Sequence, residues 1–434
     1  MPPERSFFEK AVLFSLLVLA TGAGLGAYIA KQEGAAAYAY SGGDHLIQLI
    51  FSSVYLYFFF RLTRRGAEAW ALVKQEKWIA AYWLWALGSS LWSVSTSLTV
   101  VHWIALLGTG LVGLYIGLTF EPLEQLSLIA RCLAAVAVAS LLAAIFVPSV
   151  GVAQGGAWQG VFFPKNSLGR MMALGTFSFV LLAIDQKEKR WLNLILAALC
   201  GGLLLLAQSA TAIVVCLLML LLLPFRKMLA MGNRLFVPLL AFLTIFTVPL
   251  VVWIAMNSKS VLVALGRDSS LTGRLPLWAV VIQEISTRPF IGFGYGAFWS
   301  TSEADRVRAT IGWAAPNAHN GFLEILLALG FIGGALFLIG LLRNLTFAVR
   351  AVRTGSRGGE SWPFFFLMFN LLYSMTESSL LSANFILSML FVANSYWVVR
   401  ATREEYATEE YATEEEESAE LASADSLYCE PAEV

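Results

Sequence analysis

Apolar runs with the length of membrane-spanning helices alternate with short polar segments along most of this chain. A helix needs about 20 residues to cross a ~30 Å hydrocarbon core, and the runs meet this length almost without interruption. Strands of a transmembrane barrel would instead show short segments of alternating polarity. The pattern predicts an all-α polytopic membrane protein with about twelve transmembrane helices. The predicted spans are 11–30, 44–61, 78–96, 99–119, 126–147, 167–184, 191–207, 209–224, 235–255, 320–342, 362–378 and 382–399.

Two pairs of neighbouring spans have very short links. The third and fourth spans meet at 95–97, and the seventh and eighth meet near Gln208 and Ser209. Each pair is therefore also compatible with one bent or re-entrant element. The alternation of basic residues between the two sides of the membrane favours separate spans.

A long polar insert, at about 257–318, separates the ninth and tenth spans. Charged side chains gather in it, although only 13% of the whole chain is charged. Hydrocarbon penalises charge, so a polar segment at the bilayer edge is where chemistry that needs water takes place. We therefore predict that the insert, together with the start of the tenth span, forms the active region.

Two local patterns subdivide the insert. Apolar residues at helical spacing predict an amphipathic helix that ends at Arg288–Pro289. These apolar residues are Leu277, Trp278, Val281, Ile282 and Ile285. The Gly-x-Gly-x-Gly sequence at 292–296 follows, and no predicted strand precedes it, so it indicates a tight turn and not a nucleotide-binding loop.

The distribution of basic residues predicts the orientation of the chain in the membrane. The formal net charge is +0, but lysines and arginines gather in the loops of one side, as at Arg61, Arg64 and Arg65. Short basic loops are cytoplasmic, whereas long inserts are exempt from this rule. Both termini are therefore predicted to be cytoplasmic and the insert to lie outside. The N-terminal apolar run is too long for a signal peptide and predicts an uncleaved first span.

Residues 404–434 are acidic and include a tandem Tyr-Ala-Thr-Glu-Glu repeat. This composition predicts a solvated, disordered cytoplasmic tail, with a partner-binding role as the alternative. The chain contains no other domain-sized soluble segment, so residues 1–403 are predicted to form one membrane domain.

Cysteine and histidine give no sign of a disulfide framework or a metal centre. Most cysteines lie inside apolar runs, and no Cys-x-x-Cys pair occurs. The histidines His45, His102 and His319 are scattered along the sequence. No metal or other cofactor is therefore expected.

His319 is the main candidate for acid–base catalysis. It lies between Asn317 and Asn320 at the start of the tenth span, where the side chain meets water and the helix fixes its place. Histidine exchanges a proton near neutral pH, and polar neighbours select its tautomer. An interfacial anchoring role is the alternative. Glu324 is about 140° further around the helix and is not expected to contact the same group as His319.

Candidate anion-binding residues lie on the same side of the membrane. Lys165, Asn166 and Arg170 open the sixth span, where a helix N-terminus favours an anion, and snorkelling is the alternative for both cations. The arginines of the insert, with Arg274 and Arg288 among them, suit bidentate contact with phosphate, or else face solvent and lipid headgroups.

Glu377 is a carboxylate at the outer end of the eleventh span. Acids at a membrane edge are candidate functional residues, although a short loop can also leave such a group simply hydrated.

Several short motifs follow one another in a set order. They are Gly160-Val161-Phe162 through Lys165-Asn166-Ser167-Leu168-Gly169, Thr272-Gly273-Arg274 with Leu277-Trp278, Pro289-Phe290-Ile291-Gly292-Phe293-Gly294, Asn317-Ala318-His319-Asn320 with Gly330, and Thr376-Glu377-Ser378. Each motif is weak alone. Together, with the long outer loop before His319, they resemble the bacterial O-antigen ligase and polysaccharide polymerase superfamily, and most closely exopolysaccharide polymerases of the succinoglycan type.

The resemblance implies a glycosyltransferase of the bacterial inner membrane that works at the periplasmic face without a nucleotide sugar or a metal. Its donor would be an undecaprenyl-pyrophosphate-linked glycan, and its acceptor a glycan or a lipid-linked sugar. Membrane lipids and envelope polysaccharide assembly proteins are further expected partners, whereas nucleic acid is not.

The resemblance also assigns roles to residues. It implies that Arg274 binds the pyrophosphate and that His319 assists the acceptor hydroxyl or the departing phosphate. A lipid pyrophosphate is a good leaving group, so orientation and charge stabilisation are the main tasks of the protein. The other candidate substrate- or pyrophosphate-binding residues are Lys165, Asn166, Arg170, Arg288, Asn317, Asn320 and Glu377.

The chain departs from the family pattern at two positions. Pro164 stands where a histidine often precedes Lys-Asn, and Ala210 stands where many members have a basic residue. Lys165 or Arg170 is a candidate to supply the missing positive charge.

Two other classes of function are alternatives. A multi-span chain with both termini inside also fits a secondary transporter or flippase of envelope precursors. Against this, the long insert has no counterpart in the first half, and few charges lie at mid-span. A non-catalytic scaffold would leave Arg274 and His319 without a task. Polymerase and ligase stay equally open, since they share a donor and differ in the acceptor.

Overall fold

A computed structural model of the chain describes residues 6–24, 45–226, 274–354 and 359–403. Three predicted features lie outside the described residues. They are the ninth span at 235–255, the first part of the insert at 257–273 and the acidic tail at 404–434.

The described residues are almost entirely helical and contain no β-strand. An isolated β-bridge joins Val152 to Trp158. The helices, numbered in chain order, are α1 (Phe7–Ala20), α2 (His45–Thr63), α3 (Gly66–Gln75), α4 (Lys77–Gly88), α5 (Thr96–Thr119), α6 (Pro122–Phe146), α7 (Lys165–Asp185), α8 (Arg190–Leu206), α9 (Ala210–Leu222), α10 (Arg274–Thr287), α11 (Ser302–Ile311), α12 (Gly321–Thr354), α13 (Trp362–Ser374) and α14 (386–403). Short helical turns lie at Ser89–Leu91, Pro148–Gly151, Lys187–Lys189 and Phe298–Ser300.

Within these ranges, 6 helices are long and apolar enough to cross a membrane. They are His45–Thr63, Thr96–Thr119, Pro122–Phe146, Lys165–Asp185, Lys187–Leu206 and Gly321–Arg353. Helices α9 and α13 are apolar but shorter. The prediction of an all-α, multi-pass membrane protein is therefore confirmed, and the total of about twelve spans stays a prediction.

Both short links between predicted spans separate distinct helices. Helix α4 ends at Gly88, and α5 begins at Thr96 after a helical turn and an extended residue. Between α8 and α9, the backbone of Gln208 takes a φ of 51°. A residue in this left-handed region interrupts a right-handed helix. Each pair is therefore two helices and not one bent helix.

Other helix ends differ from the prediction. The first span was predicted at 11–30, but α1 ends at Ala20, and Gly22 and Gly24 follow with φ of 85° and 76°. Glycines in the left-handed region commonly end helices. Helix α3 was not predicted at all, because the charged residues of this short amphipathic segment resemble those of a cytoplasmic loop.

Helix α12 is interrupted at Gly330, where a φ of 66° and a ψ of −169° break the helix. The insert satisfies the backbone groups that the break releases. Phe331 N–H donates to the Pro289 carbonyl at 2.7 Å, and Gly294 N–H donates to the Ala328 carbonyl at 2.9 Å. Non-helical backbone at membrane depth needs such partners. The glycine-rich turn is therefore structural, as predicted, and the predicted tenth span consists of two helical segments.

Replacing Gly330 by alanine is expected to destabilise the fold by about 3 kcal/mol or more. The added Cβ would overlap the backbone of Phe290, and the φ of +66° is strained for alanine. Gly312→Ala is the matched control, because Gly312 has a φ of +78° with open space around it. The control should lose only about 1 kcal/mol. Thermal unfolding in detergent measures both, and equal losses would contradict the contact between the break and the insert.

A small hydrophobic core holds the insert against the first segment of α12. The buried residues of α10 in this core are Leu277, Val281 and Ile285, and they share it with Leu327 of α12. The predicted apolar stripe is confirmed at these positions, whereas Ile282 is 54% exposed. The insert thus packs as a unit on the helix that begins just after the predicted catalytic histidine.

Candidate active site

A cavity of about 510 Å³ lies where α7 and α12 begin and α13 ends. Five of the predicted site residues line its polar wall, namely Asn166, Arg170, Asn317, His319 and Glu377. The apolar wall includes Leu19 of α1, Phe51 of α2, Phe162, Phe163 and Phe385. The cavity therefore combines a polar centre with an apolar side, and widely separated parts of the sequence build it.

Glu377 joins Arg274 and His319, the two residues that were predicted from the sequence to be catalytic. Its Oε1 accepts a hydrogen bond from Arg274 Nη2 at 2.6 Å, and its Oε2 lies 3.1 Å from His319 Nδ1. All three side chains are largely buried, with 12% of Glu377, 13% of Arg274 and 19% of His319 exposed. Helix α13 ends at Ser374, so Glu377 lies in the turn after it and not within the predicted eleventh span.

The surroundings keep Glu377 ionised. Burial is the largest influence and by itself would raise the pKa of the carboxyl. The hydrogen bond with His319, the charge that this imidazole carries when it is protonated, and the charges of Arg274 and Arg170 together outweigh burial and hold the pKa of Glu377 below its ordinary value. Glu377 is therefore a carboxylate at neutral pH.

The ionised Glu377 selects the tautomer of His319. A carboxylate only accepts hydrogen bonds, so Nδ1 carries the proton and donates it to Oε2 at 3.1 Å. In a neutral imidazole the other nitrogen, Nε2, is then the acceptor. His319 lines the cavity, and Nε2 has no protein partner within the described residues. The arrangement presents a base to the cavity.

Two asparagines shape the loop that carries His319. The Asn317 side-chain oxygen accepts from His319 N–H at 2.9 Å. The Asn320 side-chain oxygen caps α12 by accepting from the N–H groups of Phe322 and Leu323 at 3.0 and 3.1 Å. Asn320 also donates to the Met375 carbonyl at 3.1 Å, which ties the start of α12 to the turn after α13. In this structure both asparagines position the histidine, and Asn317 also lines the cavity.

Arg170 places a positive charge on the cavity wall. Its guanidinium lies 4.5 Å from the ring centre of Phe385 and 5.7 Å from that of Tyr373. Within the described residues it forms no salt bridge, and its buried Nε has no hydrogen-bond partner. Asn166, in the first turn of α7, lines the same wall. A helix N-terminus beside an arginine without an acidic partner is a favourable place for an anion.

Other predicted residues lie apart from the cavity wall. Lys165 begins α7 but does not line the cavity. Arg288 lies over the ring of Phe293 at 4.9 Å and donates to the Trp92 carbonyl at 3.3 Å, so in this structure it supports the insert. Arg274 contacts Glu377 and also does not line the wall.

Some residues of the site were not identified from the sequence. Phe385 and Tyr373 provide the aromatic faces beside Arg170, and Leu19 and Phe51 form part of the apolar wall. Aromatic and aliphatic residues are common in every span, so nothing in the local pattern distinguishes these four. Only the packing of distant helices brings them to the cavity.

Comparison with known proteins supports the resemblance seen in the motifs. A family model described as O-antigen ligase matches residues 195–338, which include Arg274 and His319. The exopolysaccharide production protein ExoQ of Rhizobium meliloti (strain 1021) is 28% identical over 305 residues, covering 66% of this chain and 68% of ExoQ. The predicted resemblance to the O-antigen ligase and polymerase superfamily is confirmed. The matches support a function of the O-antigen ligase or polymerase type.

Proposed function

We propose that this protein transfers a glycan from an undecaprenyl-pyrophosphate-linked donor to an acceptor hydroxyl at the periplasmic face of the bacterial inner membrane. The observation that carries the proposal is the His319–Glu377 pair, with Nε2 free on a cavity wall that also holds Arg170. A base can assist the acceptor hydroxyl, and a cation can stabilise the departing phosphate, so both on one cavity wall suit glycan transfer from a lipid pyrophosphate.

The reaction assigns a task to each group. His319 Nε2 accepts the proton of the acceptor hydroxyl, and the acceptor oxygen attacks the anomeric carbon of the donor glycan. The bond between this carbon and the phosphate oxygen breaks, and undecaprenyl pyrophosphate leaves with the electron pair. The proton then passes from His319 to solvent. Glu377 stabilises the protonated imidazole between these steps.

Positive groups balance the charge that develops on the departing phosphate. Arg170 and the first turn of α7 face the cavity and have no acidic partner among the described residues. Arg274, the pyrophosphate ligand implied by the family, uses Nη2 for Glu377. A guanidinium has five donors, so Arg274 keeps others for a phosphate. The apolar wall near Leu19 and Phe51 suits the prenyl chain of the donor.

The packing of α7 on α9 supports Arg170 as the cation that replaces the missing basic residue near Ala210. A methyl group on Gly169 would meet Ser209 at 2.7 Å, so the start of α9 touches the residue next to Arg170. A cation at position 170 or at position 210 would therefore lie in the same region of the site.

Arg170→Ala is expected to raise the KM for the lipid-linked donor at least tenfold, because the cavity loses its unpaired guanidinium. Lys165→Ala is the matched control, since it removes a cation from the same helix end outside the cavity wall. The control should change the KM by less than about twofold. Initial rates at a series of concentrations of purified undecaprenyl-pyrophosphate glycan measure the KM of each variant. If neither variant alters transfer, neither residue supplies the missing charge.

The experiment that tests the function uses the full chain in sealed proteoliposomes. A labelled undecaprenyl-pyrophosphate glycan is supplied as donor, with lipid-linked glycans or lipid A core as acceptors. Elongated or ligated product, together with release of undecaprenyl pyrophosphate, supports the proposal. Movement of intact donor across the bilayer without product would favour a flippase. Acceptors restricted to one side of oriented vesicles test the active face.

We also propose that residues 1–403 form a single transferase domain. The insert is part of this domain and not a separate unit, because its core is shared with α12. The elements that build the site lie on both sides of the insert in the sequence, at the start of α7 and in the turn after α13.

A further inference from the structure

Glu324, in the first turn of α12, links the segments around the site. Its Oε1 accepts from the Trp299 indole N–H at 2.8 Å, and its Oε2 accepts from the Ala318 N–H at 2.8 Å. The Ser378 hydroxyl donates to the same Oε2 at 3.4 Å. As predicted, Glu324 and His319 contact different groups. The carboxylate instead ties together the insert, the loop before α12 and the turn after α13.

These contacts lie next to both members of the proposed catalytic pair. Ala318 directly precedes His319, and Ser378 directly follows Glu377. The backbone of His319 takes a φ of 46°, a region that residues other than glycine seldom occupy. Such a conformation persists only where the surroundings hold it. One carboxylate therefore restrains the loop of the base and the turn of its partner at the same time.

We propose that Glu324 is a positioning residue for glycan transfer. Its carboxylate holds the His319 loop and the Glu377 turn together, so that His319 Nδ1 meets Glu377 and Nε2 faces the cavity. The inference rests on the proposed function, which assigns His319 as the base. Glu324 itself does not line the cavity and is not proposed to touch the substrate.

The chemistry of the position calls for an acid. Both oxygens of Glu324 accept hydrogen bonds, from Trp299 on one side and from Ala318 on the other. A carboxylate accepts at both oxygens, whereas an amide offers one oxygen and one NH₂ group. Glutamine at this position would therefore place its NH₂ group opposite another N–H donor at one of the two contacts. The substitution keeps the size of the side chain and removes one hydrogen-bond acceptor.

Glu324→Gln is expected to lower kcat by about ten- to a hundredfold, because displacement of a catalytic group by 1 Å can cost about 10²-fold. The KM for the donor should stay within about twofold, since Arg170 and the apolar wall are untouched. The second readout is the ¹⁵N spectrum of labelled histidine, with the His319 signals identified by their loss in His319→Ala. The native enzyme should show the Nδ1–H tautomer, and Glu324→Gln should show a mixture with the Nε2–H form.

Two further variants make the test specific. Glu303→Gln is the matched control, because it makes the same change at a residue of the insert that contacts Ser302 and none of the site residues. Trp299→Phe removes one donor to Glu324 and keeps the aromatic packing, so it should lower kcat about three- to tenfold with a smaller change of tautomer. Trp299→Phe also replaces Glu324→Gln as the test variant if Glu324→Gln does not fold.

The outcomes separate this inference from the proposed function. Native kcat and native tautomer in Glu324→Gln would overturn the positioning role while leaving His319 as the base. A loss of activity that matches the loss of folded protein, with an unchanged His319 tautomer, would also overturn the positioning role. Glu324 would then only stabilise the fold. An inactive native enzyme with every acceptor would instead reject the proposed function.

Discussion

His319→Ala is expected to lower kcat for glycan transfer by about 10²- to 10⁴-fold, the range lost with a general base. The imidazole is the only group within the described cavity wall that combines an acceptor nitrogen with a carboxylate partner. Binding of the donor should persist, because Arg170 and the apolar wall remain. The expected signature is therefore a large loss in kcat with little change in the donor KM.

His45→Ala is the matched control for this variant. His45 begins α2, is exposed and does not line the cavity, so its removal should leave transfer unchanged. Single-turnover rates with preloaded donor separate chemistry from donor binding. A His319→Ala enzyme that transfers glycan at the native rate would remove the base from the mechanism and leave the cavity as a binding site alone.

Glu377→Gln is expected to lower kcat by about 10³-fold or more, by analogy with the loss when an amide replaces the orienting acid of a hydrolase triad. The carboxylate accepts from Arg274 at one oxygen and from His319 at the other, whereas an amide has an oxygen at only one of these two positions. Its NH₂ group would favour the tautomer with the proton on Nε2, which cannot act as a base. Glu377→Asp keeps the charge and should retain more activity than Glu377→Gln.

The same carboxylate should affect stability as a function of pH. The pKa of Glu377 is lower in the folded protein than its ordinary value. Its contribution to stability is therefore complete above the ordinary carboxyl pKa and is lost as the pH falls through the lowered, folded value. The difference in thermal midpoint between the native protein and Glu377→Gln should shrink as the pH falls through this window. A difference that grows in acid would mean that the carboxyl is not held ionised.

Much of the fold could be predicted from the sequence, because membrane helices are long and continuously apolar. The bounds predicted for α2, α5, α6, α7 and α8 agree with the structure within a few residues. The ends of helices were predicted less accurately where the backbone conformation of a single residue determines them, as at Gly22 and Gly330. A glycine is compatible with both a helix and a break. At Gly330 the contact with the backbone at Phe290 requires the break.

The site could be predicted in part. His319 was identified because histidine exchanges a proton near neutral pH, and Glu377 because an acid at a membrane edge is a candidate functional residue. Their contact, and that of Glu377 with Arg274, were not predicted. The residues of these contacts are 58 and 103 positions apart in the sequence, and no local periodicity relates them. Arg288 was predicted in the same way as Arg274, yet it packs on the glycine-rich turn.

The local sequence was enough to predict the class of the protein, the positions of most spans and the residue types available for chemistry. These properties depend on local composition, because the hydrophobic effect acts on each apolar run separately. Which of these residues meet in space depends on how the helices and the insert pack. Glu377 meets Arg274 and His319, and Glu324 accepts from the Ala318 N–H, in a fold where the insert packs against α12 around the break at Gly330. Such contacts arise from the packing of distant segments, so no single stretch of sequence specifies them.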